Sequence, residues 1–235
     1  MTEISVVIPT YNEEAKISET LKSVLSYLSK NFASFEVIVV DDGSCDHTLR
    51  EVKKYAEVKI LKNLVNHGKG YTVKKGVLAS QGKLILFMDA DNSTDISELK
   101  KLQPYSNDFP VVIASRAIDQ AQVLKRQNLI KVFLGRLGNK LIKYTLGLKI
   151  NDTQCGFKLF QAQTKGLFEK LTIKRWGFDF ELLFLAKIFH YPVKEVPVTW
   201  FNYTGSRVTG MAYLQTLAQV FQVRINYLLS KYKVN

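Results

Sequence analysis

Cysteine and histidine are scarce in this sequence of 235 residues. The two cysteines, Cys45 and Cys155, cannot form the disulfide framework of small secreted proteins, so we expect a reducing compartment. The cysteines and the three histidines show no spacing typical of zinc ligands. Their scarcity therefore argues against disulfide-stapled and zinc-binding classes.

Long apolar runs are also missing. No stretch reaches the roughly 18 consecutive apolar residues that a membrane-spanning helix needs. Residues 1–4 lack the basic and apolar regions of a signal peptide. No linker or repeat interrupts the chain, so we expect a single domain over residues 1–235, without a spanning helix or a secretory leader.

Acidic residues become rare in the second half of the chain. Residues 1–120 contain 15 lysines and arginines against 16 acidic residues, whereas residues 121–235 contain 18 against 5. This asymmetry indicates a polyanionic partner for the second half, either nucleic acid or an anionic membrane surface. Composition alone does not choose between them.

Apolar runs typical of buried strands alternate with segments of helical period over the first 120 residues. The predicted strands cover residues 4–8, 35–40, 58–62, 84–88 and 111–116. This alternation predicts βαβ units, and therefore an α/β fold with a mainly parallel sheet flanked by helices. Residues 119–127 show no clear periodicity and predict a loop. The later part predicts a short strand at 158–160, an edge strand at 193–198 and helices at 164–170 and 176–190.

The predicted strand at residues 84–88 runs directly into Asp89-Ala90-Asp91. In open α/β sheets, ligands bind beyond the carboxyl ends of the strands. Two carboxylates this close repel each other unless a cation lies between them, and their hard oxygens suit Mg²⁺ or Mn²⁺. The alternative is a strand end at which Asp91 or Asp95 starts the next helix.

Polar residues also follow three other strands, at residues 9–13, 41–44 and 115–116. Asp42 suits the role of acceptor for a nucleobase N–H, and the Tyr11 ring suits packing on the base. Asp89 and Asp91 with a divalent ion suit a diphosphate. Together the strand ends predict a ligand site at one edge of the sheet.

A glycine-flanked lysine, Gly68-Lys69-Gly70, opens the third predicted helix. The segment matches neither a P-loop nor the G-x-G-x-x-G pattern of dinucleotide-binding proteins. A lysine at the amino end of a helix nevertheless suits an anion such as a phosphate or a sugar-phosphate.

Residues 128–148 predict an amphipathic helix bordered by lysines and arginines, with no acidic residue between Gln120 and Asn151. Such a basic helix is typical of membrane-surface binding, although a core helix with a solvated basic side is the alternative. Its predicted apolar face comprises Ile130, Phe133, Leu134, Leu137, Leu141, Tyr144 and Leu148. A last helix from Met211 has a similar predicted face of Leu214, Leu217, Phe221, Ile225 and Leu228.

Several strings resemble a known family. S-V-V-I-P-T-Y-N-E-E (5–14), V-V-D-D-G-S (39–44) and D-A-D (89–91) resemble the inverting nucleotide-sugar glycosyltransferases of the GT-A fold. Within that group, N-H-G-K-G (66–70), A-S-R (114–116), D-T-Q-C-G-F-K-L-F (152–160) and R-W-G-F-D-F-E-L-L (175–183) are similar to the polyprenyl-phosphate sugar transferases. The string at 152–160 resembles the dolichyl-phosphate β-glucosyltransferases in particular, and the resemblance covers residues 4 to about 207.

The resemblance implies a role for each matching residue. It assigns residues 1–120 to binding of the nucleotide sugar and the metal. It assigns residues 121–235 to binding of the acceptor and the membrane surface. The implied nucleotide-sugar-binding residues are Pro9, Tyr11, Glu13, Asp41, Asp42, Lys69 and Asp89. Asp89 and Asp91 would hold the metal, and the implied acceptor-phosphate residues are Arg116, Arg126, Ser206 and Arg207. The implied catalytic residues are Asp91, Asp152 and Arg116. Asp179 and Glu181 are candidates either for contacts with sugar hydroxyls or for capping and solubilising their own helix.

The resemblance implies inverting transfer of glucose from UDP-glucose to a polyprenyl or dolichyl phosphate, with Mg²⁺ or Mn²⁺. An acceptor phosphate is already ionised at neutral pH, so Asp152 is expected to orient groups more than to remove a proton. One alternative is the same chemistry with GDP-mannose or another UDP-sugar. A second is a basic nucleic-acid-binding module, although no recognisable nucleic-acid motif accompanies the positive charge.

An acceptor that cannot leave the bilayer implies a membrane location. We expect a peripheral protein on the cytoplasmic face of a membrane, bound to its anionic surface and with no nucleic-acid partner. A membrane-anchored partner protein is a further candidate, because many family members have transmembrane helices at one end.

Overall fold

The structure, a computed structural model, describes the backbone of residues 1–124, 129–201 and 210–233. Side chains are described for the same residues except 129–134, 136 and 210–214. The predicted acceptor residues Arg126, Ser206 and Arg207 lie outside these ranges.

The described residues form strands and helices in alternation over the first half of the chain. The strands are β1 (Ile4–Thr10), β2 (Phe35–Asp41), β3 (Val58–Lys62), β4 (Leu84–Met88), β5 (Val111–Ser115), β6 (Gln122–Val123), β7 (Phe157–Gln161), β8 (Val193–Pro197) and β9 (Thr199–Trp200). The α-helices are α1 (Ile17–Asn31), α2 (Thr48–Val52), α3 (Lys69–Ala79), α4 (Leu99–Leu102), α5 (Leu129–Leu146), α6 (Lys165–Glu169), α7 (Phe178–Ile188) and α8 (Gly210–Leu228). Short 3-10 helices lie at Ile96–Glu98, Gln103–Tyr105 and Ala162–Thr164.

Seven strands form one sheet in the order β3-β2-β1-β4-β7-β5-β8. All neighbouring pairs are parallel except those of β7, which runs antiparallel to both β4 and β5. The prediction of a mainly parallel sheet flanked by helices is therefore confirmed. Strand β7 comes from the second half of the chain but is inserted between two strands of the first half.

The sheet is covered by hydrophobic residues on both faces. Successive side chains of β1 point to opposite sides, so Val7 packs in one core cluster while Val6 and Ile8 pack in the other. Helix α3 lies so close to the sheet that a Cβ on Gly76 would be 2.4 Å from Val7 Cγ1. Burial on both faces explains why these strands read as continuous apolar runs.

The parallel strands β1, β2, β4 and β5 all end at the same edge of the sheet. Because β7 is antiparallel, it begins at that edge, where Phe157 pairs with Met88. The polar residues that follow β4 and β5 therefore meet those that precede β7.

Two sequence expectations differ from the structure. The predicted loop over residues 119–127 contains β6, whose two residues pair with β9 and are too few to show a period. The apolar face predicted for residues 128–148 is buried only in part: Leu148 is buried, but Leu137 and Tyr144 are exposed. Ile142 and Leu146, which lie outside that predicted face, are buried. The helix is apolar on more than one side, so periodicity did not identify which side packs on the core.

No helix among the described residues combines the length and the apolar character that crossing a bilayer requires.

Candidate active site

The ends of β1 and β2 are held together by hydrogen bonds between the loops that follow them. The Asn12 backbone N–H donates to Ser44 Oγ (2.9 Å), and the Cys45 N–H donates to Asn12 Oδ1 (2.8 Å). The Glu13 N–H donates to Thr48 Oγ1 (2.7 Å). These bonds fix the predicted nucleotide residues on both strand ends relative to each other.

The neighbouring carboxylates Asp41 and Asp42 have different surroundings. Asp42 accepts from Asn63 Nδ2 (2.8 Å) and from the backbone N–H groups of His67 (3.0 Å) and Gly68 (2.7 Å). It therefore anchors the loop that leads into α3. Asp41 is fully buried; its Oδ2 accepts from the Ser44 N–H (3.1 Å), and no donor among the described residues reaches its Oδ1.

An unpaired buried carboxylate oxygen is costly, so a ligand that donates a hydrogen bond there would be favoured. Of the two carboxylates, Asp41 has the free acceptor position that a nucleobase N–H requires. Both Asp42 oxygens already accept from the protein.

The Asp89-Ala90-Asp91 segment lies at the end of β4, as predicted. The Asp89 N–H donates to the Gly156 carbonyl (3.0 Å), and Asp91 Oδ1 accepts from the Ser93 N–H (3.0 Å). A Cβ on Gly156 would be only 2.0 Å from Asp89 Oδ2, so any larger residue at this position would displace the carboxylate. The residue before β7 thereby sets the position of the Asp89 carboxylate.

Lys69, the first residue of α3, reaches this segment. Its Nζ lies 2.6 Å from Asp89 Oδ1, and 5.3 Å and 5.4 Å from the ring centroids of Phe87 and Trp176. Burial alone would lower the pKa of Lys69, but the charges of Asp89 and Asp179 outweigh it and the pKa is raised. Lys69 is therefore a fixed positive charge beside the carboxylate pair.

Arg116, which follows β5, forms a two-pronged ion pair with Asp152. Arg116 Nε donates to Asp152 Oδ2 (2.7 Å) and Nη2 donates to Oδ1 (2.9 Å), while the Arg116 backbone N–H also donates to Oδ2 (2.9 Å). The Arg116 Cζ lies over the Trp200 ring, 5.2 Å from the ring centroid. The Asp152 N–H donates to Glu195 Oε1 (2.7 Å). Both partners are thus held from several elements.

The charge state of Asp152 follows from this pairing. Burial would raise the pKa of Asp152, but the Arg116 guanidinium and its hydrogen bonds outweigh burial and lower it. Asp152 is therefore ionised at neutral pH and a weak base, which suits an orienting role.

The last described residues before the gap at 202–209 connect to the same edge. The Phe201 N–H donates to the Ser93 carbonyl (2.7 Å), two residues beyond Asp91. The Thr199 N–H donates to Glu98 Oε2 (3.1 Å). Phe201, the last described residue before this segment, therefore lies close to the carboxylate pair.

Comparison with known proteins identifies the family. A family model described as "Glycosyl transferase family 2" matches residues 5–164. This chain belongs to glycosyl transferase family 2.

Relatives from several organisms match nearly the whole chain. The chain is 34% identical to "Dolichyl-phosphate beta-glucosyltransferase" of Dictyostelium discoideum over 98% of its own length and 76% of the relative's. It is 33% identical to the Homo sapiens protein of the same name, over 99% of the chain and 78% of the relative. The predicted resemblance to this group of glycosyltransferases is confirmed.

A solved structure shows the same fold at low identity. Glucosyl-3-phosphoglycerate synthase from Mycobacterium tuberculosis, in complex with Mn²⁺, UDP-glucose and glycerol 3-phosphate, superposes with a TM-score of 0.67. The identity is 21%, and the match covers 98% of this chain and 80% of that one. The GT-A fold prediction is confirmed.

The carboxylate pair suits the divalent metal expected of such an enzyme. Among the described residues, no cluster of three or more His, Cys, Asp or Glu side chains forms a closed metal cage. Mg²⁺ and Mn²⁺ often bind through one or two carboxylates, with water and substrate phosphates completing the coordination. Asp89 and Asp91 fit such an open site.

The sequence analysis did not predict that Lys158 and Asp179 form a buried ion pair. Lys158 lies in β7 with no exposed surface, and its ammonium donates to the Cys155 carbonyl (2.6 Å) and to Asp179. The signal was present as one lysine inside the apolar string of β7, but its partner is 21 residues away on α7. The Asp179 carboxylate therefore pairs with Lys158, and its charge also helps to raise the pKa of Lys69.

Glu181 and Cys155 have structural surroundings. Glu181, fully buried, accepts from the backbone N–H groups of Thr172 and Ile173 and from the Tyr232 hydroxyl, so it ties the segment before α7 to the carboxyl end of the chain. Burial raises the pKa of the Cys155 thiol to about 12, so it is protonated at neutral pH and unsuited to nucleophilic attack.

Proposed function

We propose that this family 2 enzyme transfers glucose from UDP-glucose, with inversion, to the phosphate of a polyprenyl or dolichyl acceptor. The observation that carries the proposal is 33–34% identity over 98–99% of the chain to relatives named dolichyl-phosphate β-glucosyltransferases. Family membership does not support the nucleic-acid alternative.

The donor is assigned to the ends of β1, β2 and β4. Asp41 Oδ1, buried and without a donor among the described residues, suits the N–H of the base. Tyr11, an exposed residue that follows the Thr10–Asp41 pair of β1 and β2, suits stacking on the base. Pro9, Glu13 and Asp42 belong to the same strand ends. Lys69 supplies a cation for the diphosphate.

The acceptor phosphate is assigned to the end of β5 and the loops beside it. Arg116 keeps guanidinium N–H groups beyond the two paired with Asp152, and these suit a phosphate. Arg126, Ser206 and Arg207 complete this assignment on sequence grounds alone. Asp152 is assigned to orient Arg116.

The transfer forms one bond and breaks one bond. An ionised acceptor oxygen attacks the anomeric carbon from the side opposite UDP, and the bond from that carbon to the UDP oxygen breaks with its electron pair leaving on UDP. No proton has to be removed, so positioning and cations against phosphate repulsion are the main requirements. A divalent ion bound by Asp89 and Asp91 would stabilise the negative charge of the departing diphosphate.

A peripheral location on the cytoplasmic face of a membrane belongs to the proposal. Helices α5 and α8 contact each other, and each exposes apolar residues: Leu137 and Tyr144 on α5, and Phe221, Ile225 and Leu228 on α8. Lys140 is exposed on α5, and Arg224 on α8. Exposed apolar side chains among cations suit an anionic bilayer surface. The two free cysteines are compatible with a reducing compartment.

A donor screen tests the function. Purified protein is incubated with a short polyprenyl phosphate, Mg²⁺ or Mn²⁺ and one nucleotide sugar at a time, and release of the nucleotide diphosphate is measured. The expected result is acceptor-dependent UDP release from UDP-glucose exceeding that from the other donors. Faster turnover with GDP-mannose or another UDP-sugar would overturn the choice of glucose, and the absence of release from every donor would overturn the function.

A further inference from the structure

The Asp89 carboxylate, assigned to a metal, is already engaged by a cation of the protein. Lys69 Nζ lies 2.6 Å from Asp89 Oδ1, a short charge-assisted distance. Less than a fifth of the lysine side chain is exposed, compared with about a third of the aspartate. Limited exposure reduces screening by water, so this pair interacts more strongly than a surface ion pair.

Neither partner of this pair has room to retreat through backbone movement. On one side, Asp89 is held by the Gly156 carbonyl and packs against the Gly156 Cα, where even a Cβ would not fit. On the other side, Lys69 lies between two closely packed glycines. A Cβ on Gly68 would be 2.6 Å from the Lys174 carbonyl oxygen, and one on Gly70 would be 2.6 Å from that of Ile173. Separation of the pair therefore requires side-chain rotation of Lys69.

A divalent cation at Asp89 would stand close to the lysine ammonium and be repelled by it. The protein offers few other ligands there, since the described residues contain no group of three or more His, Cys, Asp or Glu side chains that could hold a metal ion. A nucleotide diphosphate removes both obstacles, because its oxygens complete the metal coordination and its negative charge gives the lysine a new partner.

We infer that Lys69 acts as a resident counter-ion of Asp89, which keeps divalent metal affinity low until a nucleoside diphosphate group binds and takes over the ammonium. Metal and donor then enter the site together rather than metal first. The inference rests on the proposed function, because it assumes that the ligand at this edge carries a diphosphate.

The test measures Mn²⁺ binding by the loss of the free-ion electron paramagnetic resonance signal, with and without UDP. In the unmodified protein, UDP should strengthen Mn²⁺ binding at least about tenfold. In Lys69→Met, UDP-free Mn²⁺ binding should be about tenfold tighter than in the unmodified protein, the scale of one neighbouring charge. Methionine keeps an unbranched apolar stem between the Phe87 and Trp176 rings.

Three further variants separate charge from packing. Lys69→Gln is a second neutral variant, to be used where Lys69→Met does not give a cooperative melting transition, and it should behave like Lys69→Met. Lys69→Arg keeps a cation and should retain the UDP requirement. Lys74→Met removes a cation from the same helix, whose Nζ donates to the Glu169 and Leu171 carbonyls instead, and it should match the unmodified protein.

The outcomes distinguish this inference from the proposed function. Unchanged or weaker UDP-free Mn²⁺ binding in both neutral variants, with UDP still recruiting Mn²⁺ to the unmodified protein, overturns the inference and leaves the function intact. If UDP fails to recruit Mn²⁺ to the unmodified protein, the assigned donor site is wrong and the inference falls with it.

Discussion

The two sides of the sheet edge use their charges differently. On the side assigned to the donor, Asp41 has a buried oxygen without a donor among the described residues, and Lys69 and Asp89 form a single-pronged pair. On the side assigned to the acceptor, Asp152 accepts three bonds from Arg116. Between the two sides, Lys158 of β7 is fully buried against Asp179.

This difference separates positions that can exchange partners from positions that cannot. A charge with unfilled hydrogen-bonding capacity can take up a ligand without breaking a bond within the protein, whereas breaking a saturated buried pair leaves an uncompensated charge. We therefore expect substitutions on the donor side to affect activity more than stability, and those on the acceptor side to affect stability as well.

The largest expected effect is on stability, at the buried Lys158–Asp179 pair between the two sides. Lys158→Met leaves the Asp179 carboxylate buried without its ammonium partner and should reduce the free energy of unfolding by about 3–5 kcal/mol, measured by urea denaturation. The double variant Lys158→Met/Asp179→Leu removes both charges and should recover most of this loss. A double variant no more stable than Lys158→Met would show that the pair is not the cause.

On the donor side, Asp91→Asn should reduce metal-dependent transfer by about 10² to 10³-fold, the scale of losing one electrostatic contact to the transition state. Its melting temperature should change little because the side chain is partly exposed. The matched control is Asp95→Asn, since Asp95 accepts from the Ser97 N–H at a helix start and asparagine serves as well there. Equal activity in both variants would contradict the assignment of Asp91.

Gly156 joins the two sides, because it lies in the loop before β7 and packs against Asp89. Gly156→Ala should displace the Asp89 carboxylate, lower turnover at least about tenfold and reduce stability by about 1–3 kcal/mol. Gly166→Ala is the control, since no atom lies within 4 Å of its added Cβ and alanine favours helix α6. Unchanged kinetics in Gly156→Ala would mean that the position of Asp89 is not critical.

A smaller loss of stability is expected on the acceptor side, for Asp152→Asn. The substitution keeps the shape but removes the charge opposite Arg116, and should cost about 1–2 kcal/mol at pH 7, since the guanidinium is partly exposed. Because the folded pKa of Asp152 lies below its ordinary value of 3.8, this stabilisation is present above that value and is lost as the pH falls through the folded pKa.

The difference in unfolding free energy between Asp152→Asn and the unmodified protein should therefore stay constant from about pH 6 to 8 and shrink below about pH 4. Denaturation curves at several pH values measure it. A difference that grows in acid would contradict the assigned charge state.

The smallest expected effect concerns the membrane surface. Leu228→Ser, on the exposed side of α8, should weaken co-sedimentation with anionic vesicles a few-fold at low salt, since it removes one apolar side chain from the bilayer contact. Leu64→Ser, at another exposed leucine, in the segment before α3, is the control and should bind like the unmodified protein. Equal loss in both variants would remove the special role of α8, and no vesicle binding at all would remove the surface proposal.

Much of the sheet edge at the carboxyl ends of β1, β2 and β4 was predictable from local sequence patterns. The runs before Pro9, Asp41 and Asp89 contain consecutive apolar residues, and alternation with helices implies parallel strands that end together. The structure places these strand ends side by side as predicted. The roles assigned to individual residues there remain predictions.

The buried faces of α5 and α8 were harder to predict. In α8 the predicted residues Phe221, Ile225 and Leu228 are exposed, while Val220 and Val223 are buried. A helix with apolar residues on more than one side gives no single periodic face, so the choice depends on which neighbour covers it.

The alternation of strands and helices in the first half, the carboxylate pair at a strand end and the family could be predicted from the sequence, because these depend on residues close together in the chain. Tertiary packing brings β7 into the sheet antiparallel, which places Gly156 against Asp89 and buries Lys158 beside Asp179. It also decided that Lys69 is the cation at Asp89. Pairings across tens of residues depend on packing between elements, and no local pattern records them.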